Sequence, residues 1–320
     1  MKKKRYVDLI NSAPEFLARD IPPRTWLLDK TIPHPSLGML FAYRGNGKTF
    51  TALDLAVHVA NGERWMAYDV PEARAVLYID GEMPIADLHE RLTALCNAHP
   101  PKNLYVLASE DLAVAHESLN LAVEKDRDAM AEAILHMVKN VVRDDFGLII
   151  FDNWSHLIRG IDENDNTKLD PLKQWFIKLR HGEQSVLLVH HEGKARTGQR
   201  GASAREDMVD YSIKLTELFE EKPASRFRFE WDKVRGVKPD PMDFEMLLSE
   251  VDGQLGLRLA DPSGNRNAEI KSKYDDKIRP LLPGTFTDIK EKSGLHDQTV
   301  NRILNRIAYR GPNGDWLLND

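Results

Sequence analysis

Gly38-Met-Leu-Phe-Ala-Tyr-Arg-Gly-Asn-Gly-Lys-Thr49 runs from an apolar strand, through a glycine-bearing loop, into the start of a helix. Glycines in such a loop let consecutive backbone amides turn inward around phosphate oxygens. Lys48 brings a cation to the terminal phosphates, and the Thr49 hydroxyl stands at the helix N-terminus where it can ligand Mg²⁺. The pattern GxxxxGK[ST] begins with Gly, whereas this chain has Ala42 there. Ala is small, and Gly45-x-Gly47-Lys48-Thr49 keeps the amide cradle. The loop residues expected to wrap a nucleoside triphosphate, ATP, are therefore Arg44, Gly45, Asn46, Gly47, Lys48, Thr49 and Phe50.

Downstream, short apolar runs alternate with amphipathic stretches, which predicts a mostly parallel sheet covered by helices on both faces, an α/β fold. The expected strands are Met39 to Ala42, Ala75 to Ile79, Leu104 to Ala108, Leu148 to Phe151 and Val186 to Val189. Phe50 to Ala60 reads as a helix stopped by Asn61-Gly62. Leu88, Leu92 and Leu95 form one helical stripe, and Leu169, Leu172, Trp175, Phe176 and Leu179 another. Beyond residue 205 the pattern changes to consecutive strands, Ser212 to Leu218 and Arg226 to Val234, as an antiparallel extension at the sheet edge would give.

Two strand ends carry acids. Gly147-Leu-Ile-Ile-Phe-Asp152 ends in a carboxylate suited to holding Mg²⁺ beside the loop, so Thr49 and Asp152 are the expected metal residues. Val76-Leu-Tyr-Ile-Asp-Gly-Glu82 ends in two acids. Glu82 is the expected general base toward the attacking water, with Asp80 its rival.

These three strand ends together resemble the RecA-like ATPases, and most closely the plasmid RepA-type and DnaB-type hexameric replicative helicases, over roughly residues 20 to 245. Pro22-Pro-Arg-Thr-Trp26 resembles the Trp-bearing lead-in of the RepA-type group. Val186-Leu-Leu-Val-His190-His191-Glu-Gly-Lys194 resembles its strand ending in paired histidines. The resemblance implies that His190 senses the γ-phosphate, with His191 as the alternate. The loop that follows carries Lys194, Arg196, Arg200 and Arg205 among small residues and no aromatic. It suits contact with the phosphate backbone of single-stranded DNA. In Phe227-Arg-Phe-Glu-Trp-Asp-Lys-Val-Arg235, alternation puts Phe227, Phe229 and Trp231 on one face, continued by Lys233 and Arg235. Lys233-Val-Arg235 resembles the Lys-x-Arg segment whose cations, in DnaB-type helicases, reach the neighbouring subunit's ATP. A ring, expected to be a hexamer, follows from that resemblance.

The polar stretch 261–267 reads as a linker between an ATPase domain, residues 1–260 with a lead-in at 1–37, and a small module at 268–320. In the module, Phe286 to Ile307 reads as helix, Gly-containing turn and second helix. Val300, Ile303, Leu304 and Ile307 form the core stripe of the second helix. Arg302 and Arg306 stand elsewhere on the cylinder as candidate DNA contacts, of duplex DNA in this case. Arg310 to Leu318 resembles the hairpin of a winged helix.

The net charge of -6 gives no global attraction to nucleic acid, so any such binding must be local. One cysteine, Cys96, excludes a disulfide framework, and no apolar run is long enough for a membrane span; a cytoplasmic protein is expected. Composition and motifs leave two rivals to a DNA motor. One is a non-translocating RecA-like ATP switch controlling DNA occupancy, as a regulator or partitioning factor. The other is a protein-remodelling or defence ATPase.

Overall fold

The computed structural model describes residues 6–96, 99–161, 165–191, 208–221, 224–236, 238–251, 254–259, 278–294, 300, 304, 308–311 and 314–318. The expected linker 261–267 and the candidate DNA contacts Lys194, Arg196, Arg200, Arg205, Arg302 and Arg306 lie outside the described residues.

A short helix α1 (Ala13–Leu17) precedes the hairpin β1 (Thr25–Leu28) and β2 (Ile32–His34), which leads into β3 (Leu37–Ala42) and the long helix α2 (Lys48–Asn61). Then come β4 (Ala75–Asp80), α3 (Ile85–Cys96), β5 (Leu104–Leu107), α4 (Ser109–Val114), α5 (Glu124–Met137), β6 (Phe146–Asp152), α6 (Trp154–Leu157), α7 (Asn166–His181) and β7 (Val186–His191). Four strands follow, the first three long: β8 (Tyr211–Glu221), β9 (Ala224–Val234), β10 (Met242–Val251) and β11 (Gln254–Leu259). The expected strand to Ala108 ends at Leu107, because Ala108 caps α4.

Nine strands form one sheet in the order β11-β10-β9-β8-β3-β7-β6-β4-β5. From β8 to β5 the pairings are parallel; β9, β10 and β11 are antiparallel additions, of which sequence reading foresaw only the first. Both faces of the parallel part are apolar, as crossover helices on each side require. Leu40, Val76, Tyr78, Leu148, Ile150, Leu187 and Val189 pack on the α2 side. Met39, Leu77, Ile79, Ile149, Phe151, Val186 and Leu188 pack with α5 to α7. Phe227, Phe229, Trp231, Phe244 and Met246 from the antiparallel strands join the α2-side core. The Trp231 indole N–H donates to the Tyr68 hydroxyl at 2.6 Å and that of Trp65 to Asp54 at 2.9 Å. Helix α2 is thus enclosed between the sheet and its own antiparallel extension.

Phe227, Phe229 and Trp231 share the buried face as alternation requires, but the continuation to Lys233 and Arg235 is corrected. Ser212 pairs with Lys233 and Ile213 with Trp231, so Asp232 is an extra residue, and this bulge breaks the alternation before Lys233.

The strand starts are held by polar staples. Asp210, nearly buried, accepts the Leu37 amide at 2.9 Å, two bonds from Arg180 at 3.0 Å each, and an ion pair from Arg235 Nε at 2.8 Å. His34 Nδ1 meets the Ser185 hydroxyl at 2.7 Å, and Asp145 lies 3.3 Å from His34 Nε2. The order resembles a nucleophile triad. Ser185 is fully buried, however, and its oxygen accepts the Ser36 amide at 3.1 Å, so the set ties the β2–β3 turn to β7.

A separate small core, Ile278, Ile289, Val300, Leu304, Ala308 and Trp316, belongs to the C-terminal module. There α8 (Phe286–Ser293) is capped by Thr285, and β12 (Ala308–Arg310) pairs with β13 (Trp316–Leu318). Among the described residues no helix is long and apolar enough to cross a membrane.

Removing the Asp210 carboxylate in Asp210→Ala is expected to leave the buried Leu37 amide without its acceptor. A loss of about 1–3 kcal/mol follows, read as a lower urea midpoint with unchanged slope.

Candidate nucleotide and hydrolysis site

The loop between β3 and α2 begins where the apolar strand runs out of the sheet. Gly47 caps α2 with φ 68°, a left-handed conformation that a side chain resists, and a Cβ there would run into Met246 Cε. The loop is pressed from outside by β10. Arg44 and Gly45 are exposed and Asn46 and Thr49 half-buried, so the loop's outer rim faces solvent. Lys48 is buried, and its Nζ donates to the carbonyls of Ala42 at 3.0 Å and Tyr43 at 2.8 Å. Phe50 points into the core, which leaves its backbone amide as the part available to a phosphate.

Strand β6 delivers Asp152 to the same place, in register with Asp80 of β4 and Val189 of β7. Asp152 is 3% exposed. Burial pushes its carboxyl above the usual range, against the Tyr78 hydroxyl, the Thr49 side chain and the charge of Lys48, all of which favour the carboxylate. The Tyr78 hydroxyl donates to Asp152 Oδ2 at 2.6 Å, and burial first, then the neighbouring carboxylate, raises the phenol well above its ordinary value. Thr49 and Asp152 therefore bring a hydroxyl and a buried carboxylate together, the hard oxygen set Mg²⁺ prefers, and a carboxylate that a cation would relieve of its burial penalty. The expected metal pair fits.

The two acids after β4 have separate roles. Asp80 is buried and its carboxylate accepts the backbone amides of Glu82 and Met83 and the Ser109 hydroxyl, at 3.0 to 3.2 Å. Burial raises its pKa against those bonds. Asp80 is the turn-holder, and Glu82 is the acid turned outward. Glu82 Oε2 accepts a short bond from Asn153 Nδ2 and lies 3.1 Å from His156 Nδ1 and 3.9 Å from His191 Nε2.

Strand alternation separates the paired histidines. His191 is level with Ala42, on the α2 side with Leu187 and Val189, and its Nε2 stands 3.2 Å from Asn153 Nδ2. Burial, then Lys48, lowers its pKa, with Glu82 opposing. His190 falls on the other face, edge-on to Trp154 at 6.3 Å between ring centres. The structure thus brings the alternate, His191, to Glu82, and turns His190 toward the core of the opposite face.

Lys233 and Arg235 are not brought to this site. Val234 pairs with Tyr211, which pairs with Gly38 at the start of β3, whereas the loop leaves β3 at Ala42. Both cations therefore sit at the opposite end of the sheet, with Arg235 paired to Asp210.

Tyr78, Asn153 and His156 were not singled out from sequence. A tyrosine inside a fully buried strand must find a partner for its hydroxyl, and Asn153 followed by His156 has the spacing of a helix cap. Those are the signals that could have found them.

The family described as AAA domain matches residues 5–197. Among solved structures, the flagellar accessory protein FlaH from Methanocaldococcus jannaschii superposes with a TM-score of 0.51 at 12% identity, over 72% of this chain and 91% of that one. A KaiC-like protein from the archaeon Pyrococcus horikoshii OT3 does so with 0.50 at 12% identity, over 73% and 94%. No curated protein matches. The likeness to both structures is one of fold, RecA-like α/β.

Tyr78→Phe deletes the hydroxyl that fixes Asp152. It is expected to weaken Mg²⁺ binding in the presence of ATP by about tenfold or more, while leaving metal-free ATP affinity unchanged, as a magnesium titration will read.

Proposed function

The chain belongs to the AAA domain family, and from that premise we propose that it is a Mg²⁺-dependent ATP-hydrolysing motor that works as a ring, six subunits by resemblance, on single-stranded DNA. The observation that carries the ring is the split of charges between the two ends of the sheet. Lys48, Thr49, Asp152 and Glu82 gather at one end. Lys233 and Arg235 lie at the other, distant from their own nucleotide loop. A neighbour stacked head to tail would bring this second end against the first.

In that arrangement the loop amides of residues 44 to 50 and Lys48 bind and orient the triphosphate. Thr49 and Asp152 would hold Mg²⁺, which would neutralise phosphate charge. Glu82 accepts the proton of the attacking water, and His191, beside Glu82 and level with the loop, is well sited to register the γ-phosphate. The neighbour's Lys233 and Arg235 stabilise charge on the transferring phosphoryl group. Residues 192 to 207, with Lys194, Arg196, Arg200 and Arg205, supply backbone contacts to single-stranded DNA. The C-terminal module, as a winged helix carrying Arg302 and Arg306, adds a second contact, to duplex DNA. A plasmid, phage or mobile-element replicative helicase would use these parts in this way.

Arg235→Ala is expected to lower turnover by on the order of a thousandfold with nucleotide affinity retained, and single-stranded DNA to raise wild-type turnover. Mixing Arg235→Ala with Glu82→Gln, each inactive alone, is expected to restore turnover, because one supplies an intact site and the other an intact cation. Failure to restore it, or turnover indifferent to DNA, would reject the motor. ATP-dependent duplex affinity without strand displacement would favour the switch instead.

A further inference from the structure

Resting on Glu82 as the general base, we infer that His156 is a positioning residue that aims the Glu82 carboxylate and makes hydrolysis depend on the charge of its own imidazole. The contact between the two is built rather than casual. Gly81, which joins β4 to Glu82, donates its amide to the Asp152 carbonyl at 2.7 Å. A Cβ on Gly81 would stand 2.8 Å from Leu157 Cγ and 3.3 Å from His156 Cβ, so a glycine lets the exit of β4 press directly onto α6. Asn153 caps that short helix, its Oδ1 accepting the His156 amide at 3.2 Å, while its Nδ2 donates to Glu82 Oε2.

Nδ1 of His156 faces two oxygens, Glu82 Oε2 at 3.1 Å and Asn153 Oδ1 at 3.1 Å. Two acceptors on one ring nitrogen put the proton there, and leave Nε2 as the nitrogen that gains or loses one. Asn153 Nδ2 donates to Oε2, and His156 Nδ1 stands 3.1 Å from the same oxygen. The other oxygen, Oε1, is then held to take the proton of the water.

The charged and titratable groups around this pair come from three elements. Glu82 itself arrives from the β4 turn; His191 comes from the end of β7; Lys48 and Arg44 come from the nucleotide loop and act on His191. His191 is half-buried beside those cations and is held toward its neutral form. His156 is the more open of the two, its side chain 45% exposed. A proton on its Nε2 would place an imidazolium against Glu82 and make the carboxylate a poorer acceptor of the water's proton. With Nε2 unprotonated, the same Nδ1–H still aims the carboxylate without that penalty.

The test measures kcat and KM for ATP across pH 6 to 8.5 in the full chain, with mant-ATP affinity as the check on folding. In His156→Asn the amide nitrogen takes the place of Nδ1 and cannot ionise, so turnover at pH 8.5 is expected to stay within a fewfold of wild type, without the fall on the acid side. His156→Ala is expected to lose kcat roughly ten- to a hundredfold at every pH with little change in KM. An acid-side fall that survives unchanged in His156→Asn, or wild-type kcat in His156→Ala, overturns the inference. Glu82→Gln, run alongside, separates the two levels. If it is inactive while the His156 variants behave as wild type, Glu82 stands as base and His156 falls. If it turns over normally, the base assignment fails and takes this one with it.

Discussion

Asp152 is an acid withdrawn almost completely from water, and the groups around it offset part of the cost of keeping it charged. The hydroxyls of Tyr78 and Thr49 hydrogen-bond to it, and Lys48 lies close enough to add its charge. They come from three elements: β6 for the acid, β4 for the phenol, and the start of α2 for the hydroxyl and the ammonium. Satisfying one buried carboxylate therefore requires three segments far apart in sequence to end at the same height. A site for a metal-bound triphosphate is what remains when they do.

The same sheet has a second polar end. There Asp210 binds the Leu37 amide, Arg180 and Arg235, tying the start of β3 to α7 and to the end of β9. The fold so separates a phosphate-binding end rich in backbone amides from an end that exposes a guanidinium. A RecA-like P-loop ATPase fold with that polarity is suited to stacking in one direction, and the proposed ring makes use of it. The antiparallel strands β9 to β11 add a link between the two ends, because Met246 of β10 rests on the turn at Gly47 while β9 runs to Arg235, which is paired to Asp210.

Much of this was legible in the sequence. The nucleotide loop, Asp152 and Glu82 could be read because each ends an apolar run, and because glycine, lysine and acids have few other uses at such places. What could not be read was which way a side chain faces. In a strand buried on both sides, such as Leu148 to Phe151 or Val186 to Val189, every position is apolar, so the pattern carries no parity. That is why His190 and His191 could not be told apart from sequence, and why alternation carried past Asp232 failed at a bulge that no residue type announces. Tyr78 was hidden as an ordinary strand residue, and Asn153 with His156 as an ordinary helix start. Their roles exist only through contacts more than thirty residues away in sequence.

The most direct measurement is calorimetric titration of ATP into the full chain with excess Mg²⁺ and again with the metal chelated, for wild type and for Asp152→Asn. Convergence of these strand ends on one triphosphate predicts tight wild-type binding that weakens sharply on chelation. It also predicts an Asp152→Asn variant that binds the free nucleotide like wild type but gains little from the metal. Equal affinity with and without Mg²⁺ in the wild-type chain, or a metal effect that Asp152→Asn leaves intact, would contradict it.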